Sequence, residues 1–179
     1  MSVQPIKSKK DIELMKKVLA DNPRNLLLFK IGINSALRIS DLLRLRVRDL
    51  TGDYIELTEV KTRKGKRIKI NEAIRKAADE LIPKDARPSD WLFPSRKGDK
   101  PISRVQAWRI LSGAADYAGV NARVGCHSLR KSFAYHAYMR GVELPLLMSV
   151  LNHSSERETL RYIGIEAEQI DDVYIDVCL

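Results

Sequence analysis

The sequence predicts a mainly α domain with one small antiparallel β-hairpin, an α+β arrangement, from three observations. Apolar residues recur at helical spacing along most of the chain. Ser8, Ser103 and Ser155 are each followed three places on by Asp11, Gln106 and Glu158, the pattern of a side chain capping a helix start. Only residues 54–60 and 67–70 alternate with the two-residue period of a strand. A length of 179 residues suffices for one sizeable core and is too short for two large ones. With no internal repeat, low-complexity tract or long linker, residues 1–179 are expected to form a single domain.

The elements follow in order. Ser8 and Asp11 open a helix through Ala20, striped by Ile12, Met15, Val18 and Leu19. Pro23 suits the first turn of a second helix, to about Ala36, apolar on most sides and therefore central. A turn at Leu37 to Ser40 leads into a short helix, Asp41 to Leu45. Tyr54 to Val60 sets Ile55 and Leu57 on one face and Tyr54, Glu56 and Thr58 on the other. Arg67 to Ile70 returns, with Lys64-Gly65 at the turn. Glu72 to Leu81 reads as helix, and Pro83 to Pro101 as a loop plugged into the core by Trp91, Leu92 and Phe93. The helix capped by Ser103 runs to about Ala118 and stops at Gly119. Ser128 to Met139 forms another, closed by Gly141, and a short helix lies around Glu143 to Leu151. Ser155 and Glu158 cap the helix that carries Tyr162, which Gly164 ends. Ile170, Val173, Tyr174 and Val177 stripe one face of a last helix.

Composition narrows the function. Hydrophobic residues make up 44% and charged residues 31%, as in a soluble globular protein. Apolar runs such as Leu26-Leu27-Leu28-Phe29 are far too short to span a bilayer, and no signal-peptide pattern opens the chain. Cys126 and Cys178 stand 52 positions apart without a partnering pattern, so neither a disulfide nor a metal site is expected and a reducing cytoplasm is the natural compartment. The formal charge of +9 favours an anionic partner, nucleic acid first. Six Lys or Arg fall between Lys61 and Lys69 and three more between Leu43 and Arg48, whereas Glu166 to Asp176 is acidic. The basic stretches are thus expected to work on DNA and the tail to lie off it.

Attack on a DNA phosphodiester needs a nucleophile, charge neutralisation at the phosphoryl oxygens and a proton for the leaving oxygen. A tyrosine phenol, pKa about 10 in water, makes a phosphodiester that keeps the bond energy, so rejoining needs no ATP. Arginine suits the clamp because its planar guanidinium meets two phosphate oxygens at once and stays charged. The chain offers these groups in order: Arg38 in a Leu-Arg-Ile-Ser-Asp turn, Lys61 on the basic hairpin, His127 and Arg130, His153, and Tyr162 nine residues later. His127 and Arg130, three apart at a helix start, share a face. His136 stands about half a turn round the wheel from His127 and reads as structural. His153 precedes a capped helix, where an anion is favoured. Taken singly, each has an ordinary reading: a capping histidine, a surface arginine, an amphipathic tyrosine at the core edge. Tyr117, Tyr135, Tyr138 and Tyr174 are equally plausible nucleophiles until the position relative to His153 is considered.

In this order the residues resemble the catalytic pattern of the tyrosine recombinases, the phage integrase family. The segments SALRISDLLRLRVRDL, HSLRKSFAYH and LNHSSERETLRYIGI carry the likeness, which runs from about Leu26 to Ile165. The resemblance implies a tyrosine-recombinase catalytic-domain fold and a site-specific recombinase that cleaves and rejoins DNA through a 3′-phosphotyrosyl link, without metal or other cofactor. Arg38, Arg130 and His153 would cradle the scissile phosphate, His127 would assist proton transfer at the nucleophile, Lys61 would protonate the 5′-oxygen, and Tyr162 would attack. Lys64 and Lys66 share the hairpin with Lys61. With Arg104 and Arg109 on the Ser103 helix, which in the family approaches the major groove, they are candidate DNA contacts. Double-stranded DNA is the implied partner and a tetramer on DNA, monomeric when free, the implied assembly, with the 170–177 stripe available for exchange between protomers. Three positions depart from the family pattern: Ala36 and Asn152 replace usual glycines, and Asp41 a common glutamate. Only some 25 residues precede the matched region, so no N-terminal DNA-clamping domain is expected; the chain is either an excised catalytic domain or a compact natural form, and Met1 with the lack of tag-like residues leans towards the latter. A cytoplasmic, nucleoid-associated protein of prokaryotic or phage origin is expected. A non-catalytic DNA-binding regulator and a type IB topoisomerase-like enzyme are the alternatives.

Overall fold

The computed structural model describes residues 3–165, together with residues 175 and 177. Within them the order is α1 (Lys9–Leu19), α2 (Pro23–Ser35), α3 (Ile39–Leu42), a 3-10 turn (Val47–Leu50), β1 (Tyr54–Thr58), β2 (Gly65–Lys69), α4 (Glu72–Leu81), α5 (Arg104–Tyr117), α6 (Cys126–Tyr138), α7 (Leu144–Leu151) and α8 (Glu156–Ile163). The helix starts follow their caps. Ser8, Asn22, Asn71, Ser103 and Ser155 each accept a hydrogen bond from the backbone N–H three residues on.

Two apolar clusters are joined through α6. The larger gathers α1, α2, α4, α5 and the hairpin around Phe29, Met15, Ile55, Ile74, Phe93 and Leu111. The smaller holds Ala134, Leu147, Leu151, Ile163 and Ile165 between α6, α7 and α8. Leu129 of α6 packs in the larger cluster and Ala134, further along, in the smaller. Gly32 lets α2 approach α6 closely, since a Cβ there would run into Leu129. The N-terminal segment lies along α6: Ile6 donates to Ser132 Oγ at 2.7 Å, and His136 Nε2 meets the Ile6 carbonyl at 3.0 Å. His136 is therefore structural, as its place on the wheel predicts.

Four details differ from the sequence expectation. The short helix after Leu37 begins at Ile39 rather than Asp41 and is over by Leu42, because Arg38 caps it by backbone geometry without a side-chain bond. The helix expected from Ser128 starts at Cys126, since Ser128 Oγ reaches back to the Gly125 N–H at 3.0 Å. The hairpin turn is Glu59 to Lys64, not Lys64-Gly65. Arg63, at φ 58°, supplies the left-handed residue, and Gly65 pairs with Thr58 inside the ladder. Leu92 and Phe93 are core residues as expected, but Trp91 is only half-buried, with the Arg46 guanidinium 3.6 Å from its ring centre. The helix expected around Ile170, Val173 and Tyr174 lies outside the described residues. Among the described residues no helix is long and apolar enough to cross a membrane.

Candidate active site

Segments remote in sequence meet where the two clusters adjoin. Ala36 ends α2 in the left-handed conformation, φ 53°, and turns the chain sharply so that Arg38 faces the hairpin. Asn152 ends α7 in the same way, φ 51°, just ahead of His153. Both are positions where glycine would carry less strain, which gives the two glycine departures a single physical meaning.

Arg130 lies between these two turns and is buried. Its guanidinium donates to the Ala36 carbonyl and to the Leu151 carbonyl, the C-terminal ends of α2 and α7. Helix C-termini favour a cation, so the fork is oriented by main-chain acceptors from both sides. The charges of Arg130 and Arg38 act on the Tyr162 phenol from nearby. Tyr162 sits in the second turn of α8, edge-on to His153 with ring centres 4.9 Å apart, and Lys131 Nζ lies 5.0 Å from the centre of its ring.

His153 Nδ1 is 3.1 Å from Thr159 Oγ1, and that hydroxyl donates onward to the Ser155 carbonyl at 3.1 Å. A proton on Nδ1 satisfies both contacts at once and leaves Nε2 for a ligand. Glu59 completes the arrangement. It is fully buried, with Oε1 2.6 Å from Arg38 Nη1 and 3.5 Å from Lys66 Nζ. Its Oε2 accepts from Thr62 Oγ1 at 2.7 Å and Asn152 Nδ2 at 2.9 Å. Asp41, also buried, accepts from the Val60 N–H at 2.9 Å and so ties the Arg38 turn to the hairpin.

The electrostatics are those of a cationic cleft around one carboxylate. Burial alone pushes the Glu59 carboxyl up, but Thr62, Arg38 and Lys66 outweigh it and hold the group down at about 2. Lys66 is lowered by burial and by Arg130, with Glu59 opposing. His127 is solvent-accessible as a whole, yet packing of its ring and then the charges of Arg104, Arg130, Lys131 and Arg38 lower it. Burial lowers His153, reinforced by Arg130 and Arg38. Burial raises the Tyr162 phenol, and Arg130 and Arg38 pull it back.

Five of the expected site residues, Arg38, His127, Arg130, His153 and Tyr162, are thus brought together. One of the hairpin lysines is placed differently from expectation. Lys66, expected on the DNA-facing surface, points inward and donates to the Val150 carbonyl at 2.9 Å. Lys61 is exposed in the turn. Its charge reaches Glu158 at the start of α8, whose carboxyl is held low first by the Ser154 N–H. Lys64 is exposed in the same turn. Arg104 stands close enough to affect His127, while Arg109, five positions on, is exposed on a face about 140° round α5. The sequence reading missed Glu59, Lys66 as an internal member, and Lys131. Alternation carried a signal for the first two: Glu59 is in phase with buried Ile55 and half-buried Leu57, and Lys66 with half-buried Ile68.

A small hairpin set among helices, with a histidine–arginine pair on one helix and a tyrosine on a later one, is the architecture of a tyrosine-recombinase catalytic domain. The chain belongs to the phage integrase family, whose profile matches residues 8–169. It is 44% identical over 174 residues to the probable integrase/recombinase YoeC of Bacillus subtilis, covering 96% of this chain and 95% of that one. It is 27% identical to the tyrosine recombinase XerA of Pyrococcus furiosus, covering 92% of this chain but only 57% of that protein, so it spans little more than half of that longer relative. Among solved structures, a XerA recombinase superposes with a TM-score of 0.77 at 19% identity, covering 98% of this chain and 64% of the other. The XerH site-specific recombinase bound to its palindromic difH substrate, a post-cleavage complex, gives 0.72 at 21%, covering 97% and 53%. At these identities the structural likeness is one of fold.

Proposed function

We propose that this chain is a site-specific DNA recombinase or integrase that cuts and rejoins strands through a 3′-phosphotyrosyl bond to Tyr162. The observation that carries the reading is the Tyr162 ring set edge-on to His153, within reach of the Arg130 and Arg38 charges, at one cationic cleft. The phenolic oxygen attacks phosphorus and passes its proton to His127. The 5′-oxygen departs with a proton from Lys61, and the reverse sequence reseals the strand. Arg38, Arg130 and His153 hold the non-bridging oxygens; an arriving phosphate favours a second proton on His153, at Nε2. Lys64, Arg104 and Arg109 flank this centre as contacts to double-stranded DNA, the partner that fits a charge of +9 and the relatives' chemistry. Assembly as a tetramer on DNA, within the nucleoid, accompanies this reading.

The test is covalent capture. A pool of nicked duplexes of randomised sequence, in which the cut end diffuses away, is expected to yield a denaturant-stable adduct that peptide mass mapping assigns to Tyr162. DNA binding without any adduct would make the chain a regulator.

Two further outcomes follow from the site. Lys61→Ala is expected to slow cleavage by about a hundred- to ten-thousandfold. Sulfur in place of the bridging 5′-oxygen should restore most of that loss, because a thiolate leaves without a proton. If Lys66→Ala is the variant that sulfur rescues, the acid is Lys66. For His127, the base form is required, and burial with the charges of Arg104, Arg130, Lys131 and Arg38 lowers its pKa from the ordinary histidine value. The acid limb of kcat/KM for cleavage, which reports the free enzyme, should therefore lie on the acid side of that of an unperturbed histidine. His127→Gln should lose that limb; a wild-type limb on the alkaline side contradicts the assignment.

A further inference from the structure

We propose that Glu59 is a positioning residue for strand cleavage, one carboxylate that yokes Arg38, the hairpin turn bearing Lys61, and the turn bearing His153. The inference rests on the recombinase reading and assigns a role to a residue outside the nucleophile, clamp and acid–base set.

A fully buried carboxylate is costly unless it is paired and hydrogen-bonded; here Oε2 accepts two hydrogen bonds, while Oε1 makes none and is met by two cations instead. The two cations against Oε1, Arg38 and Lys66, come from the turn after α2 and from β2. The two donors on Oε2 come from Thr62, next to Lys61, and from Asn152, next to His153. The main chain of Glu59 also closes the turn, its N–H donating to the Lys64 carbonyl at 2.9 Å and its carbonyl accepting from the Arg63 N–H at 3.0 Å. A second tie runs parallel, from Lys66 Nζ to the Val150 carbonyl at 2.9 Å. The hairpin, the Arg38 turn and the α7–α8 turn thus share a single anionic anchor. Remove its charge and Arg38, Lys66 and Arg130 are left to repel one another across the place where a phosphate must sit.

Glu59→Gln separates charge from shape. A glutamine can keep its oxygen towards Arg38 and Lys66 and turn its amide towards Thr62 and Asn152, the latter flipping its own amide to accept. Asn152→Gly is the second variant. It permits the left-handed backbone while deleting one arm of the yoke.

The probe is the nicked duplex recovered by covalent capture with the wild-type protein. At saturating duplex, Glu59→Gln is expected to cleave about 10- to 100-fold more slowly, the scale of a small misplacement of reacting groups. Asn152→Gly should cleave about three- to tenfold more slowly, the worth of one hydrogen bond. Duplex Kd should stay within about threefold or tighten, and the double variant should be no slower than Glu59→Gln alone, as for members of one network. Glu59→Asp should recover part of the rate. A rate drop with unchanged affinity is a split that a general loss of fold would not give. If Glu59→Gln does not fold, Asn152→Gly decides: a wild-type rate there overturns the inference. Faster cleavage by Glu59→Gln overturns it too, making Glu59 a counter-ion that phosphate merely displaces. If the wild type captures no duplex at all, the recombinase reading itself fails.

Discussion

Tyr162→Phe leaves DNA bound and uncut. The expected loss of single-turnover cleavage is on the order of ten-thousandfold or more, because no other group supplies the attacking oxygen. Stability should fall by only about 0.5–1.5 kcal/mol, the worth of one polar contact, and the ring keeps its packing against His153. Affinity for duplex should remain within about threefold, since phosphate contacts along the cleft are untouched. Tyr117 is 85% exposed on α5 and serves as the control: Tyr117→Phe should cleave like the wild type. Adduct persisting in Tyr162→Phe would move the nucleophile elsewhere and dismantle the site as assigned.

Arg130 carries the second large effect, and its substitution must be chosen with care. Arg130→Ala deletes a charged donor that catalysis needs, worth about a hundred- to thousandfold. It also strips the Ala36 and Leu151 carbonyls of their buried partner, at about 2–4 kcal/mol. An inactive alanine variant would therefore say little about chemistry. Arg130→Lys keeps the charge and one carbonyl bond, but an ammonium cannot span both carbonyls and a phosphate. Its urea midpoint should drop by the equivalent of about 1–2 kcal/mol, while cleavage at saturating duplex falls about a hundredfold or more. A lysine variant that cleaves at the wild-type rate would show that the planar fork is not what holds the phosphate.

The helical frame was legible because its starts are written locally. A serine or asparagine followed by a free backbone N–H decides where α1, α5 and α8 begin, and no tertiary partner is needed. Boundaries went astray where the cap is not local in that sense: α3 starts on backbone geometry at Arg38, and α6 on a serine that reaches backwards. The hairpin turn was misplaced for a related reason. Gly65 advertised a turn, but Arg63 takes the left-handed conformation because Glu59 is fixed from outside the hairpin, by Arg38 and Asn152. The catalytic set was readable through ordered spacing and resemblance. The inward carboxylate was not, because a buried Glu has meaning only once its two donors and two cations are in place. That two helix ends adopt left-handed backbones without glycine was likewise visible only in coordinates, although Ala36 and Asn152 already stood out in sequence.

Arg130 is fastened by main-chain carbonyls at the ends of α2 and α7 before any ligand is present, so most of its freedom is surrendered during folding rather than on meeting DNA. That arrangement favours fast, well-aimed engagement and removes room for adjustment. No drift at this position can trade robustness against turnover, since one guanidinium serves both. Engineering for heat tolerance should accordingly leave that junction alone and work on exposed loop positions, such as residues 96–100.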